Sequence, residues 1–150
     1  MSIFDVKPHI AKPTIAGTST LIYGSKKAGK TSTAVQYPKH FICGFEVGWK
    51  AINGAMGKPV KDWVDFKINF VQELVDQAED FEEGRIAEKT FETIIIDTTD
   101  IAYEYCYNYI CGKEGVTHLD YTENKRGYRM CRQEFMKEKM RLISAGYTLV

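Results

Sequence analysis

Residues 24–31 read Gly24-Ser25-Lys26-Lys27-Ala28-Gly29-Lys30-Thr31. This is the full pattern of a phosphate-binding loop: Gly, four residues of any kind, then Gly-Lys and a hydroxyl residue. It constrains the fold more than any other stretch, because it works only between a strand and a helix. The glycines let the backbone curl so that successive N–H groups face one centre, an anion cradle. A helix starting there adds its positive dipole end. Lys30 is spaced to reach β- and γ-phosphate oxygens, and the Thr31 hydroxyl to ligate Mg²⁺. Gly24 through Ser32 are therefore the candidate nucleotide-binding residues, and ATP with Mg²⁺ the expected cofactors.

The flanks meet the requirement. Residues 18–23 (Thr-Ser-Thr-Leu-Ile-Tyr) have the β-branched and apolar character of a buried strand. Thr31 to Gln36 suit a short helix, and Pro38 stops it by pushing its predecessor out of helical angles. Further on, His40–Phe45 predicts a second strand ending at Glu46. Residues 47–68, with Gly48, Gly54, Gly57 and Pro59, predict loop with short irregular elements. Phe70, Val71, Leu74, Val75, Ala78 and Phe81 mark one face of a helix closed by Gly84. Thr93–Asp97 predicts a third strand, Ile101–Cys111 a helix ended by Gly112, and 113–124 a polar loop. Residues 125–145 predict a long basic helix with Tyr128, Cys131, Phe135 and Leu142 on one stripe. Tyr147–Val150 starts a fourth strand. Alternating strands and helices predict an α/β fold: a three-layer phosphate-loop NTPase with a mostly parallel sheet. The domain reading is a lead-in over 1–17, with breakers Pro8, Pro13 and Gly17, and an ATP-binding core over 18–150. That core is expected to be incomplete, because the sequence stops inside an apolar β-branched run.

Length and composition fit one globular domain. The 150 residues are 44% hydrophobic and 27% charged, with a formal net charge of zero. No apolar run is long enough to span a membrane. The start lacks a basic, then long apolar, leader. Cys43, Cys106, Cys111 and Cys131 lack disulfide or zinc-type spacing, which predicts buried free thiols and a cytoplasmic setting. Charge is unevenly spread. Asp62 to Glu104 hold thirteen acidic and three basic residues, whereas Lys125 to Arg141 hold seven basic and two acidic ones. The basic run is either a solvated helix face or a surface for a polyanion.

Two carboxylates accompany the loop. In Phe91-Glu92-Thr93-Ile94-Ile95-Ile96-Asp97-Thr98, aliphatic residues bury a strand on both faces, and Asp97 emerges at its carboxyl end. That is the form of a Walker B strand, so Asp97 joins Thr31 as a candidate Mg²⁺ partner. Its alternative role is a cap for the next helix. Glu46, at the end of the second strand, is placed to orient or deprotonate a water for attack on the γ-phosphate, with Lys30 as its catalytic companion. Its alternative is a surface loop glutamate. Tyr103, Tyr105, Tyr107 and Tyr109 alternate along a helix, face different ways, and read as packing or partner surface.

These motifs together resemble a RecA-like ATPase core. Phe41-Ile42-Cys43-Gly44-Phe45-Glu46 resembles the second core strand of bacterial recombinases, ending in the water-activating glutamate. Ile94-Ile95-Ile96-Asp97-Thr98 resembles their Walker B strand. More closely, the chain is similar to phage AAA-family nucleotide-binding proteins of the Sak-type single-strand annealing group. Tyr23-Gly24, Phe45-Glu46-Val47-Gly48 with the following Lys-Ala, Trp63 and the Ile-Asp-Thr strand end carry that similarity, and Glu123 to Tyr128 loosely so. Gly44 departs from it, standing where recombinases often have an acid.

The resemblance implies ATP hydrolysis coupled to single-stranded DNA binding in phage recombination, in a bacterial cytoplasm. It implies a homo-oligomer, ring or filament, whose neighbouring subunit completes the site with a cation, and contacts with phage or host recombination or replication proteins. It places a DNA-contacting loop at 113–127, making Lys113, Lys125, Arg126 and Arg129 the candidate DNA residues. It sets the fourth strand between the first and third, so the 150-residue piece is expected to be poorly stable or inactive alone. Two other readings are a nucleotide-binding switch or scaffold with negligible hydrolysis, and a small-molecule kinase of the phosphate-loop class.

Overall fold

The computed structural model describes residues 17–150. The lead-in expected over 1–17 lies, except for Gly17, outside the described residues. Four parallel strands form one sheet: β1 (His40–Gly44), β2 (Gly57–Pro59), β3 (Thr93–Asp97) and β4 (Thr148–Leu149), in the order β2-β1-β3-β4. The central pair is in register from His40 against Thr93 to Gly44 against Asp97. The helices are α1 (Lys30–Ala34), α2 (Trp63–Phe66), α3 (Glu73–Glu82), α4 (Thr99–Glu114) and α5 (Arg126–Ser144). The phosphate-loop α/β architecture predicted from the alternating pattern is the one observed.

Side-chain alternation along each strand builds two cores. Cys43, Phe45, Ile94, Ile96 and Leu149 point to one face, where α2 to α5 cover them with Trp63, Phe66, Cys106, Ile110, Cys131, Leu142 and Tyr147. Ile42 and Ile95 point to the other, and meet Ala34 of α1 and Trp49. The three layers are therefore unequal. One is a full set of helices; the opposite one, among the described residues, is built on the five residues of α1 and the turn that carries Trp49. All four cysteines are buried free thiols.

Several elements differ from expectation. Residues 18–23 do not form a buried strand. Ser19 makes one parallel bridge to Leu149, fixed by Thr20 N–H to Leu149 O at 2.8 Å and Leu149 N–H to Thr18 O at 2.9 Å. Leu21 and Tyr23 are exposed, because β4 offers this segment only a two-residue partner. The segment does lie beyond β4, which sits between it and β3. The 47–68 stretch is more ordered than its glycines suggest. It contributes β2, which Gly57 lets approach Ile42 closely, and α2, started by Asp62 accepting from the Asp65 N–H at 2.8 Å. A π-helical turn over Lys67–Gln72 then links α2 to α3. Phe81, expected on the apolar face, is largely exposed.

Helix α4 runs through Gly112 and stops at Gly115. A single interior glycine costs only about 1 kcal/mol against alanine, less than the packing of Ile110 and Cys111 against the core. The polar loop at 113–124 contains two 3₁₀ turns that bury Leu119 and Thr122. On α5, Cys131, Phe135 and Leu142 are buried while Tyr128 is exposed.

Candidate nucleotide-binding site

Parallel strands all end at one edge of their sheet, and here that edge gathers the chemistry. Gly29 precedes α1 with φ at 81°, a left-handed conformation that a side chain disfavours. This turn aims the loop back across the ends of β1 and β3. Because α1 has only five residues, the local loop amides, more than a long helix dipole, supply its positive field. Lys30 lies over its own loop, donating to the carbonyl oxygens of Gly24 at 3.0 Å and Ser25 at 2.9 Å.

The next residue reaches the opposite wall. Thr31 Oγ1 donates to Asp97 Oδ2 at 3.2 Å, across 66 positions of sequence. Asp97 terminates β3, and Thr98, not Asp97, occupies the cap position of α4. The Asp97 carbonyl oxygen accepts two backbone N–H groups from the end of β1, Phe45 at 2.8 Å and Glu46 at 3.0 Å. The strand ends that carry the two carboxylates are thus bonded to each other. Burial pushes the Asp97 carboxyl above its ordinary value. The Thr31 hydroxyl opposes this, the charge of Glu46 adds to it, and Lys30 partly offsets it. A half-buried carboxylate that sits uneasily beside a second one is poised to accept a cation. Glu46 itself is exposed, leaving it free to face a water.

These groups line a cleft of about 760 Å³, within the size range of nucleotide-scale ligand sites. Gly24, Lys26, Lys27, Ala28, Gly29, Lys30, Thr31, Ser32, Glu46 and Asp97 all line it. Ser25 does not, and serves through its carbonyl. The donor set fits a magnesium nucleotide: an ammonium and loop amides for phosphate oxygens, and a hydroxyl with a carboxylate for a hard divalent ion. Asp100 also lines the cleft. Its carboxyl is held below the usual range, chiefly by the Thr98 hydroxyl. Sequence reasoning missed it, although a second acid three residues after Asp97 was its visible signal.

The four candidate DNA residues sit elsewhere. Helix α4 carries the chain about 22 Å from Thr99 to Glu114, at 1.5 Å per residue. At that far end Arg126 is engaged, with Glu114 at 2.8 Å and Glu123 at 3.6 Å. Lys113 lies 5.5 Å from the centre of the Tyr109 ring. Lys125 and Arg129 are exposed.

Among the described residues, no helix is long and apolar enough to cross a membrane. The chain is 28% identical over 154 aligned residues to the SPbeta prophage-derived uncharacterized protein YorG of Bacillus subtilis (strain 168), covering 100% of this chain and 45% of that protein. It therefore spans less than half the length of the curated relative it matches. No solved structure matches it. The profile of a family described as AAA domain matches residues 16–150, from just before the phosphate loop to Val150. Cleft geometry and sequence agree, and the chain belongs to the AAA domain family, a nucleotide-binding, ATPase-like class.

Proposed function

We propose that the chain binds and hydrolyses ATP with Mg²⁺ and couples its nucleotide state to single-stranded DNA in phage recombination or annealing. One observation carries the catalytic half. Thr31 is hydrogen-bonded to Asp97 at 3.2 Å, while Glu46 hangs from the same Asp97 through its backbone at 3.0 Å. Metal ligands and a water-orienting carboxylate are thereby held on one rigid frame facing the lysine. Bound Mg²⁺ would neutralise charge on the β- and γ-phosphates. In this reading loop amides and Lys30 hold phosphate oxygens, Thr31 and Asp97 hold the metal, and Glu46 orients or deprotonates the attacking water.

The DNA half rests on resemblance, on the relative's prophage origin, and on the basic run that begins at Lys125. A homo-oligomer whose neighbour contributes a cation belongs to the same proposal. The deciding experiment is ATP turnover by the full-length protein with and without single-stranded DNA. Stimulated turnover, lost in Lys30→Ala and in Glu46→Gln, supports the reading. Tight ATP binding with no turnover would replace it with a nucleotide switch. Phosphate transfer to a small molecule in place of water would replace it with a kinase.

A further inference from the structure

We infer that Trp49, seated on Gly44, is the positioning residue that sets the reach of Glu46 toward the cleft. The inference deepens the hydrolytic reading above and rests on it. After Glu46 the chain makes a tight 3₁₀ turn, with Lys50 N–H to Val47 O at 3.2 Å and Ile52 N–H to Trp49 O at 3.0 Å. The turn sends the Trp49 indole back under the strand it has just left. There the ring is 7% exposed. It belongs to one small buried apolar cluster with Ile42 of β1, Ile95 of β3 and Ala34 of the phosphate-loop helix. That cluster draws together the strand that delivers Glu46, the strand that delivers Asp97 and the helix that carries Lys30 and Thr31.

The fit depends on Gly44. A Cβ at that position would lie 2.1 Å from Trp49 Nε1 and 2.9 Å from both Cδ1 and Cε2. No side chain fits there without expelling the indole. This gives a physical reason for glycine two residues before the carboxylate. Trp49 Nε1 is buried and makes no hydrogen bond, a cost to stability that a met donor would avoid. A phenylalanine or leucine would fill apolar space without that cost. Glu46 has one backbone tether, to Asp97, and its side chain is exposed. The angle at which it leaves the strand is set by the turn that follows, and Trp49 anchors that turn.

The test uses the full-length protein, a non-hydrolysable ATP analogue with Mg²⁺, and four variants: Gly44→Ala, Trp49→Ala, Trp49→Phe and Glu46→Gln. Gly44→Ala and Trp49→Ala are expected to keep analogue affinity within about threefold while kcat falls at least tenfold. Trp49→Phe is expected to recover most of kcat. Analogue binding should change tryptophan emission in the parent protein, and the change should be reduced in Trp49→Phe, since Trp63, the other tryptophan of these 150 residues, is packed in the opposite core. Wild-type kcat in Trp49→Ala overturns the inference. So does a parallel loss of affinity, kcat and far-ultraviolet circular dichroism, which would make Trp49 a packing residue only. If Glu46→Gln itself turns over normally, the hydrolytic reading fails first and carries this inference with it.

Discussion

Glu46 donates its backbone N–H to the carbonyl oxygen of Asp97 at 3.0 Å, so neither carboxylate-bearing strand end can shift without the other. The two acids act as one mechanical unit, and substitutions at the sheet edge should be read with that coupling in mind.

Loss of the loop cation should separate binding from folding. The side-chain hydrogen bonds of Lys30 run to the carbonyls of Gly24 and Ser25 within its own loop, and across the cleft it acts on Asp97 only through its charge. Lys30→Ala should lower ATP affinity at least tenfold by calorimetry, with the melting temperature of the nucleotide-free protein nearly unchanged. A variant that binds ATP normally would remove the phosphate role of this lysine.

Asp97→Asn should stabilise the empty protein while abolishing magnesium-dependent nucleotide binding. Burial raises the Asp97 carboxyl above its ordinary 3.8. A raised carboxyl favours the folded state most below its unfolded value, and that contribution is lost as pH climbs through the raised one. At neutral pH the ionised group therefore opposes folding, whereas asparagine stays neutral throughout. The melting temperature of Asp97→Asn should exceed the parent's at neutral pH, with the gap closing toward pH 3.8. A variant less stable at neutral pH would show that the carboxylate is better satisfied than its burial implies.

On the helical side of the sheet, Lys67 is one of two cations in a partly buried network. Its ammonium bonds to Glu134 at 2.5 Å and stands 4.0 Å from Glu138, which is fully buried. Glu138 also accepts from Arg141 at 2.8 Å. Lys67→Met leaves Glu134 with only the Trp63 indole N–H at 3.3 Å and should cost about 1–3 kcal/mol in urea unfolding. Adding Glu134→Leu should return much of that loss. Equal stability of parent and Lys67→Met would refute the assignment.

Gly127, the second residue of α5, packs against the 119–122 turn and donates its N–H to Thr122 Oγ1 at 2.9 Å. A Cβ there would meet Thr122 Cγ2 at 2.8 Å and Leu119 Cδ2 at 2.9 Å. Gly127→Ala should destabilise by about 1–3 kcal/mol through overpacking, with nucleotide affinity unaffected because the cleft lies at the other end of α4.

The basic residues near that turn are not equivalent. Arg126 is paired with Glu114 and Glu123, and Arg126→Ala should barely change single-stranded DNA affinity. Lys125→Ala and Arg129→Ala should each weaken it and reduce the slope of log affinity against log salt by about 0.7. Binding indifferent to all three would move any DNA contact off this surface.

The parts legible in the sequence share a physical cause. Thr93–Asp97 and His40–Gly44 are central strands, buried on both faces, so their aliphatic runs declare them. The phosphate loop is legible because its backbone geometry dictates glycine at fixed positions. What stayed hidden depends on distant partners. Residues 18–23 have strand composition, yet a strand exists only where a neighbour pairs with it, and two residues of β4 are all this one meets. β2 is three residues long and contains a proline, so no periodicity announces it. Trp49 was missed because its place over Gly44 arises from tertiary packing, in a segment that gives no local sign of it; Asp100 carried a sign in its spacing from Asp97, but only the fold brings it to the cleft.

One feature of the loop reaches beyond geometry. With its ammonium folded onto the carbonyls of Gly24 and Ser25, Lys30 occupies the hollow with its own charge. An incoming triphosphate must displace that internal guest, exchanging two neutral acceptors for anionic ones. Recognition then becomes a swap of partners within a shaped cradle, which should make association enthalpy-rich and weaken it steeply for ligands lacking the terminal phosphates.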